Sequence, residues 1–420
     1  MRVLQAATFE TGGAATAMQR LMYALENKVG IQDLYFCNLP SNKAINNHRK
    51  TNVILNKIQQ HFKKTDNIYR AWEIEVFLNQ LKNARDNGLE YASLPVSNIN
   101  LTKLNSYKQS DIIHLHWVAN GLDWPTFFKR NKKPIVWTLH DMNPFSGIEH
   151  YEEPHFGMDE AGYPLFRQKS EAELALGNKW SLLKKTLLAG VNNINIVSPS
   201  RWLLNLSQQS NLFHRYPHFH IPNSVPEEIF KITDKTEARK KLGLPDKKKL
   251  VLFVADNLEN QRKGLAYLRA AVNQIKSDLD VGLIAVGQYD IEDEASDVFQ
   301  LGKITEESKM ATVYAAADVF IIPSLEDNLP NTMLESLMCG TPVIGFPVGG
   351  IQETIQDGFN GYLCERIGVP PLVETIKKFL ENTDTFSREA IAADALKKYA
   401  TDIQAQAYLN LYEGILDANK

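Results

Sequence analysis

The strongest constraint on the fold is a rhythm of short, almost continuous apolar runs separated by stretches long enough to form helices. After an opening strand over Val3–Ala7 come "DLYF", "DIIHLHW" and "PIVWTLH"; the second half holds "KLVLFVA", "VGLIAVG", "ADVFIIP" and "TPVIGF". Runs that are apolar at nearly every position suit strands buried on both faces. Parallel strands need crossover connections of about a dozen residues or more, and the intervening helical segments supply them. One such segment is the amphipathic stretch from Ala15 to Lys28. The expected class is α/β, with parallel β-sheets.

The runs fall into two sets, separated by "HFHIPNSVPEEIF". There Pro222 and Pro226 bracket Asn223 and Ser224. Proline biases its predecessor away from helix and asparagine favours turns, so this is linker chemistry and the boundary falls near 222. A length of 420 residues suits two domains. The expected division is 1–221, 222–395 and a final amphipathic helix over 396–420, with Tyr399, Ile403, Tyr408, Leu411, Tyr412 and Ile415 available for packing. The stretch 41–108 is rich in Asn, Lys and Gln, predicts a helix over 67–88 and offers no readable chemistry. Residues 142–168 carry aromatics, glycines and prolines with little periodicity, and read as one long loop.

Composition excludes several function classes. A formal net charge of −3 argues against a partner held by phosphate-backbone electrostatics, so no nucleic acid is expected. Cys37, Cys339 and Cys364 show neither metal-ligand spacing nor a disulfide framework, which suits a reducing, cytoplasmic compartment. The opening "MRVLQAATFETGGAATAMQRL" lacks the apolar stretch of a signal peptide, and no run of ~18 apolar residues occurs. The expectation is a chain that does not span a bilayer, although contact with a membrane surface remains compatible with it.

Residues able to do chemistry collect just beyond the apolar runs. In open α/β domains that edge binds ligands. After "ADVFIIP" comes "SLEDNLPNTMLESLMCG", with Asp327 and Glu335 on either side of Pro330, Asn331 and Thr332. Thr332-x-x-Glu335 matches a capping box, with Gly340 ending the helix; the same helix start can receive an anion. Beyond "LVLFVA" stand Arg262 and Lys263, two adjacent cations suited to a diphosphate or, more plainly, to a solvated surface. Gly12-Gly13 follows the first strand without the G-x-G-x-x-G spacing of a dinucleotide site, and alone it is weak evidence. His140 and Asp141 end "PIVWTLHD", where the imidazole suits hydrogen bonding, acid–base chemistry or a structural role. His114 and His116 share one strand face, and no third ligand with metal-site spacing accompanies them.

Taken together these residues resemble the GT-B glycosyltransferases of family 4, retaining enzymes that use nucleotide sugars. The resemblance runs through Gly12-Gly13, "WTLHD", "VSPSRWL", "IPNSV", "RKG", the segment from "LGKITEESKM" to "GTPVIGF", and "GGIQETIQDGFNGYLC". It implies two Rossmann-like domains facing each other across a deep cleft. The first would hold the acceptor and the second the nucleotide sugar, with the last helix crossing back to the first domain. Arg262 and Lys263 would neutralise the diphosphate, and Glu335 would bond the ribose as the second acid of an E-x7-E motif. Asp327 takes the first acidic position near the transferred sugar, a role Glu326 can share. His140 would approach that sugar, and Gly12 and Gly13 the phosphates.

The family pattern is broken twice. Asp327 stands where a glutamate is usual, and Pro330 replaces a glycine, removing one backbone N–H. Amide contacts would then come from Asn331 and Thr332. The resemblance implies no resident cofactor and no metal. It also implies a UDP- or GDP-sugar donor, a glycan or lipid-linked glycan acceptor in cell-envelope polysaccharide synthesis, and peripheral contact with the cytoplasmic face of the inner membrane. The alternative from another class is a noncatalytic nucleotide-sugar or glycan-binding protein on the same scaffold. A phosphorylase is disfavoured because no pyridoxal-phosphate lysine motif is evident.

Overall fold

A computed structural model describes residues 1–31, 33–38, 43–46, 64–86, 88–288 and 297–418. In chain order its strands are β1 (Arg2–Ala7), β2 (Asp33–Asn38), β3 (Lys43–Asn46), β4 (Ile112–Leu115), β5 (Ile135–Thr138), β6 (His155–Met158), β7 (Pro164–Phe166), β8 (Ile194–Ser198) and β9 (His218–His220). The second half adds β10 (Lys249–Asn257), β11 (Val281–Gln288), β12 (Val298–Gly302), β13 (Val319–Ile322), β14 (Val343–Gly345) and β15 (Gly361–Leu363). The chain divides into two compact units. Residues 1–152, 169–222 and 404–420 form the first, and 153–168 with 223–403 the second.

The first unit is built on a seven-stranded sheet ordered β3-β2-β1-β4-β5-β8-β9. Its strands are parallel except for the β2–β3 pair. Alternation along β1 shows why its run is apolar throughout. Leu4 and Ala6 enter a core with Trp124, Phe127, Trp137 and Phe213, whereas Val3 and Ala7 enter another with Met18, Leu21, Leu25, Tyr408 and Tyr412. Helices therefore cover both faces, and each fully buried large apolar side chain contributes about 1.5–3 kcal/mol.

The second unit holds a six-stranded, wholly parallel sheet ordered β12-β11-β10-β13-β14-β15. Its core gathers Leu252, Phe253, Ile284, Tyr314, Phe320, Ile344 and Phe346 with residues of the covering helices. Parallel sheets are thus present in both halves, as the apolar runs require.

Several expectations are corrected. The 142–168 stretch is not a single loop: Asn143–Phe145 is a 3-10 turn, and β6 pairs with β7 in an antiparallel hairpin. That hairpin groups with the second unit, where the Tyr267 hydroxyl donates to the Gly157 carbonyl at 2.9 Å and the Val369 amide to the Gly162 carbonyl at 2.8 Å. The helix expected over 67–88 is Lys64–Ala84; positions 41–42, 47–63 and 87 of its surroundings lie outside the described residues. The final helix is two helices, Arg388–Tyr399 and Thr401–Asp417. They break at Ala400, whose ψ of 149° is extended, and Glu227 accepts from the Thr401 amide at 3.1 Å and hydroxyl at 2.8 Å. An acceptor supplied from elsewhere in the fold starts the new helix there.

Candidate functional site

In the second unit β10 and β13 are neighbours, while β11 and β12 lie outboard of β10 and β14 and β15 outboard of β13. The connections after β10 and β13 diverge to opposite sides, which leaves a crevice at their carboxyl ends. After β10 the chain forms a 3-10 turn, Gln261–Lys263, capped by the Asn260 side chain. After β13 comes the loop Pro323–Pro330. The Leu325 amide donates to the Arg262 carbonyl at 2.8 Å and ties the two loops together. Gly264 has φ +76°, and a Cβ there would stand 1.9 Å from the Pro323 carbonyl oxygen. Only glycine allows this approach.

Lys263 Nζ donates to Asp327 Oδ2 at 2.6 Å, and Arg262 Nη1 lies 3.5 Å from the same oxygen. Arg262 also donates to the Glu326 carbonyl at 2.6 Å, and the Ser324 hydroxyl donates to Asp327 at 3.2 Å. Burial opposes the Asp327 charge, but Lys263 and Arg262 outweigh it and hold its carboxyl below the usual range. The neighbouring acid is engaged differently: Glu326 Oε2 accepts the Glu153 amide at 2.9 Å, at the base of the β6–β7 hairpin. The sequence left the two acids interchangeable. In the fold Asp327 meets the cations and Glu326 meets the hairpin.

The helix Asn331–Met338 begins with Pro330 as its N-cap and no side-chain cap bond. Thr332 is therefore inside the first turn, and the expected Thr332–Glu335 capping box does not form. The cause is local, since Pro330, with φ −63° and ψ 123°, takes the capping position itself. Glu335 Oε2 instead accepts from the buried Tyr314 hydroxyl at 2.9 Å. Asn331 Oδ1 accepts from Asn223 Nδ2 at 3.1 Å. Gly340, with φ +72°, ends the helix as expected.

In the first unit the equivalent divergence lies between β1 and β4. Gly12, at φ +93°, is the N-cap of the helix Gly13–Asn27. His140 lies beyond the end of β5, and its Nε2 is 3.1 Å from His116 Nδ1. Burial pushes the His140 pKa down to about 4 against the opposing pull of Asp141. Asp141 accepts from Trp117 Nε1 at 2.6 Å, His150 Nδ1 at 2.6 Å and the Asn143 amide at 2.9 Å. His150 Nε2 in turn meets Ser93 Oγ at 2.8 Å. This Ser–His–Asp order imitates a hydrolytic triad, but Ser93 has 0% exposure and no substrate reaches it. The buried Lys184 donates to the Asn143 and Ser146 carbonyls, and burial lowers its pKa to about 7. Sequence reading singled out neither His150 nor Lys184, because neither sits in a motif or at the end of an apolar run. Among the described residues no group of three or more His, Cys, Asp or Glu is arranged to hold a metal ion, and no helix is long and apolar enough to cross a membrane.

Residues 248–382, which include both cations, both acids of the loop and Glu335, match the family described as glycosyl transferases group 1. The match assigns residues 248–382 to that family. Gly12, Gly13 and His140 lie outside the matched residues. Similar curated relatives include the D-inositol 3-phosphate glycosyltransferase of Thermobispora bispora, 24% identical over 69% of this chain and 66% of the relative. The N-acetyl-alpha-D-glucosaminyl L-malate synthase of Bacillus anthracis is 28% identical over 34% of this chain and 39% of its own. The chain thus spans from 39% to 66% of the length of these two relatives.

Among solved structures, sucrose-phosphate synthase of Thermosynechococcus elongatus superposes with TM-score 0.67 at 17% identity, covering 100% of both chains. HepE of Anabaena, in complex with UDP and glucose, gives 0.59 at 15% identity, covering 98% of this chain and 99% of its own. These likenesses establish the fold as GT-B, with two Rossmann-like parallel-sheet domains.

Proposed function

We propose that the chain is a retaining glycosyltransferase that moves a hexose-type sugar from a UDP- or GDP-sugar to a hydroxyl of a glycan or lipid-linked glycan. The carrying observation is the cation pair Arg262–Lys263 closed onto Asp327 in the crevice of the group 1 domain. The HepE structures with UDP-glucose and the relatives named as glycosyltransferases support a nucleotide-sugar donor.

In this reading Arg262 and Lys263 bind the donor diphosphate, exchanging part of their contact with Asp327 for phosphate oxygens. The Asn331 and Thr332 amides add the partial positive charge of a helix start. Glu335 accepts from the ribose hydroxyls. Asp327 lies beside the transferred sugar, with Glu326 supporting the loop, and Gly12 and Gly13 give the phosphates room at the backbone. His140 contacts the sugar.

The bond from the anomeric carbon to the diphosphate oxygen breaks, and the cations stabilise the charge that develops on the leaving group. The acceptor oxygen bonds the same face of the anomeric carbon, its proton passes to the departing diphosphate, and the configuration is retained. The cation pair supplies electrostatically what a divalent ion would, so the reaction needs no metal. Residues 222–395 serve the donor, 1–221 the acceptor, and 396–420 support the latter. A lipid-linked acceptor places the protein in the cytoplasm, peripheral on the cytoplasmic face of the membrane, in polysaccharide synthesis.

Calorimetry against uridine, guanosine and adenosine diphosphates and their sugars tests the donor site; absence of binding by folded protein refutes it. Magnetic resonance of the product anomer tests retention. Donor binding without transfer or donor hydrolysis would instead establish the noncatalytic reading.

A further inference from the structure

The loop between β1 and the helix Gly13–Asn27 carries Phe9, with 51% of its surface exposed. A lone exposed aromatic needs no explanation. Phe9 is instead the outer member of a column of three stacked rings. Its ring centroid lies 5.0 Å from that of Trp117 at an interplanar angle of 26°, and Trp117 lies 5.0 Å from His150 at 16°. Asp141 anchors the inner two rings, accepting from Trp117 Nε1 and from His150 Nδ1, each at 2.6 Å. His150 Nε2 meets Ser93 Oγ at 2.8 Å, so the base of the column is fixed at both ring nitrogens.

The backbone on either side of Phe9 is tied down as well. The Thr8 amide donates to the Trp117 carbonyl at 2.8 Å, and the Thr8 hydroxyl to the Ala119 carbonyl at 2.9 Å. On the other side the Gln19 side-chain amide donates to the Glu10 carbonyl at 2.8 Å. Trp117 stacks on one face of the Phe9 ring, so the half left exposed is chiefly the opposite face. That face is flat, apolar and held in place before any ligand arrives.

The column stands at the divergence between β1 and β4, the carboxyl edge where open α/β sheets take ligands. His140 shares this edge: it adjoins Asp141 in the chain, and His116, the residue before Trp117, lies 3.1 Å from it. An aromatic face carries negative charge density, whereas the axial C–H groups of a pyranose carry a partial positive one. Stacking the two also removes apolar area from water. Glu10 and Thr11, next in the chain and exposed, supply a carboxylate and a hydroxyl for the hydroxyls around the sugar's rim. A single ring is too small to seat an acyl chain, and the Glu10 charge disfavours a phosphate beside it.

We propose that the outer face of Phe9 is a stacking subsite for a pyranose ring of the acceptor, with Trp117 and His150 as the support that holds it. The acceptor role rests on the proposed glycosyltransferase function; the saccharide site itself does not.

Saturation-transfer NMR of the full-length protein tests the subsite with cellobiose and lactose as probes. Sorbitol, which has the hydroxyls without a ring face, is the control. Saturation should concentrate on the axial ring protons of one sugar unit and be absent from sorbitol. Phe9→Leu keeps apolar bulk without a flat face and should weaken saccharide binding about 5- to 30-fold, whereas Phe9→Trp should bind at least as well as the parent. Phe9→Ser serves if the leucine variant fails to fold. No saturation of either sugar, equal saturation of sorbitol, or unchanged binding in Phe9→Leu overturns the subsite. Saccharide binding that depends on Phe9 in a protein that binds no donor would uphold the subsite and overturn the glycosyltransferase reading. Where sugar transfer is measured, Phe9→Leu should raise the acceptor KM at unchanged affinity for free nucleoside diphosphate. An unchanged acceptor KM would overturn the acceptor role and leave the glycosyltransferase reading standing.

Discussion

Asp327→Asn separates charge from geometry at the candidate site, and its effects on binding and turnover should have opposite signs. In the folded chain Asp327 neutralises part of the positive charge of Lys263, at 2.6 Å, and of Arg262, at 3.5 Å. A phosphate oxygen bound to Lys263 at an ordinary ~2.8 Å would lie about 5 Å from the Asp327 carboxylate. At an effective dielectric of about 20, two like unit charges at that distance repel by about 3 kcal/mol. Lys263 remains 27% exposed, and solvent screening reduces this to about 1–3 kcal/mol. Free nucleoside diphosphate should therefore bind Asp327→Asn about 5- to 150-fold more tightly than the parent.

On the proposed reading sugar transfer should fall in the same variant, because the carboxylate assigned beside the transferred sugar is gone. The ligand-free melting temperature should drop as two neighbouring cations lose their partner, and saturating diphosphate should restore it by mass action. Calorimetry of the free diphosphate, paired with melts in its presence and absence, reads affinity and stability, and a transfer assay reads turnover. Unchanged or weaker binding by a well-folded Asp327→Asn would show that the diphosphate does not sit on these cations.

Lys263→Ala and Arg262→Ala should each weaken diphosphate binding by about 1.5–3 kcal/mol, with the double variant departing from a simple sum; a double variant that binds like the parent contradicts the placement. Glu335→Gln keeps an acceptor for the Tyr314 hydroxyl and should melt near the parent while binding donor more weakly. Glu335→Ala strands that buried phenol and should lose about 1–3 kcal/mol of stability; unchanged donor binding in both variants would leave Glu335 a purely structural role. His140→Ala should lower transfer about 10- to 1000-fold with little change in affinity for free diphosphate, and equal turnover would reject the sugar contact. His140 also predicts acid sensitivity. Its folded pKa of about 4 lies below the unfolded 6.5, so its contribution is complete above pH 6.5 and is lost as pH falls through about 4. The loss amounts to about 3–4 kcal/mol, and denaturant melts of His140→Gln should show a correspondingly shallower acid decline.

The candidate site is partly legible in the sequence. Arg262 and Lys263 follow the run that becomes β10, Asp327 follows the run that becomes β13, and parallel strands bring such segments to one edge. The capping box was misread because spacing alone does not say which residue takes the N-cap, and Pro330 takes it. The hairpin of β6 and β7 was read as loop because β6 is half-buried and β7 mostly exposed, with no alternation strong enough to register.

The sequence by itself determined what neighbouring residues can settle among themselves: the strand and helix rhythm and the turn chemistry near Pro222. Burial on both faces writes itself into a continuous apolar run, so two parallel sheets could be read directly. Only the tertiary structure decided the pairings between distant segments. Gln5 meets Tyr412 across 407 positions, Glu326 holds the Glu153 amide across 173, and Tyr314 reaches Glu335 from another helix. A polar side chain carries no local mark of its partner, because the partner is chosen when the sheets and helices pack and every buried donor must find an acceptor.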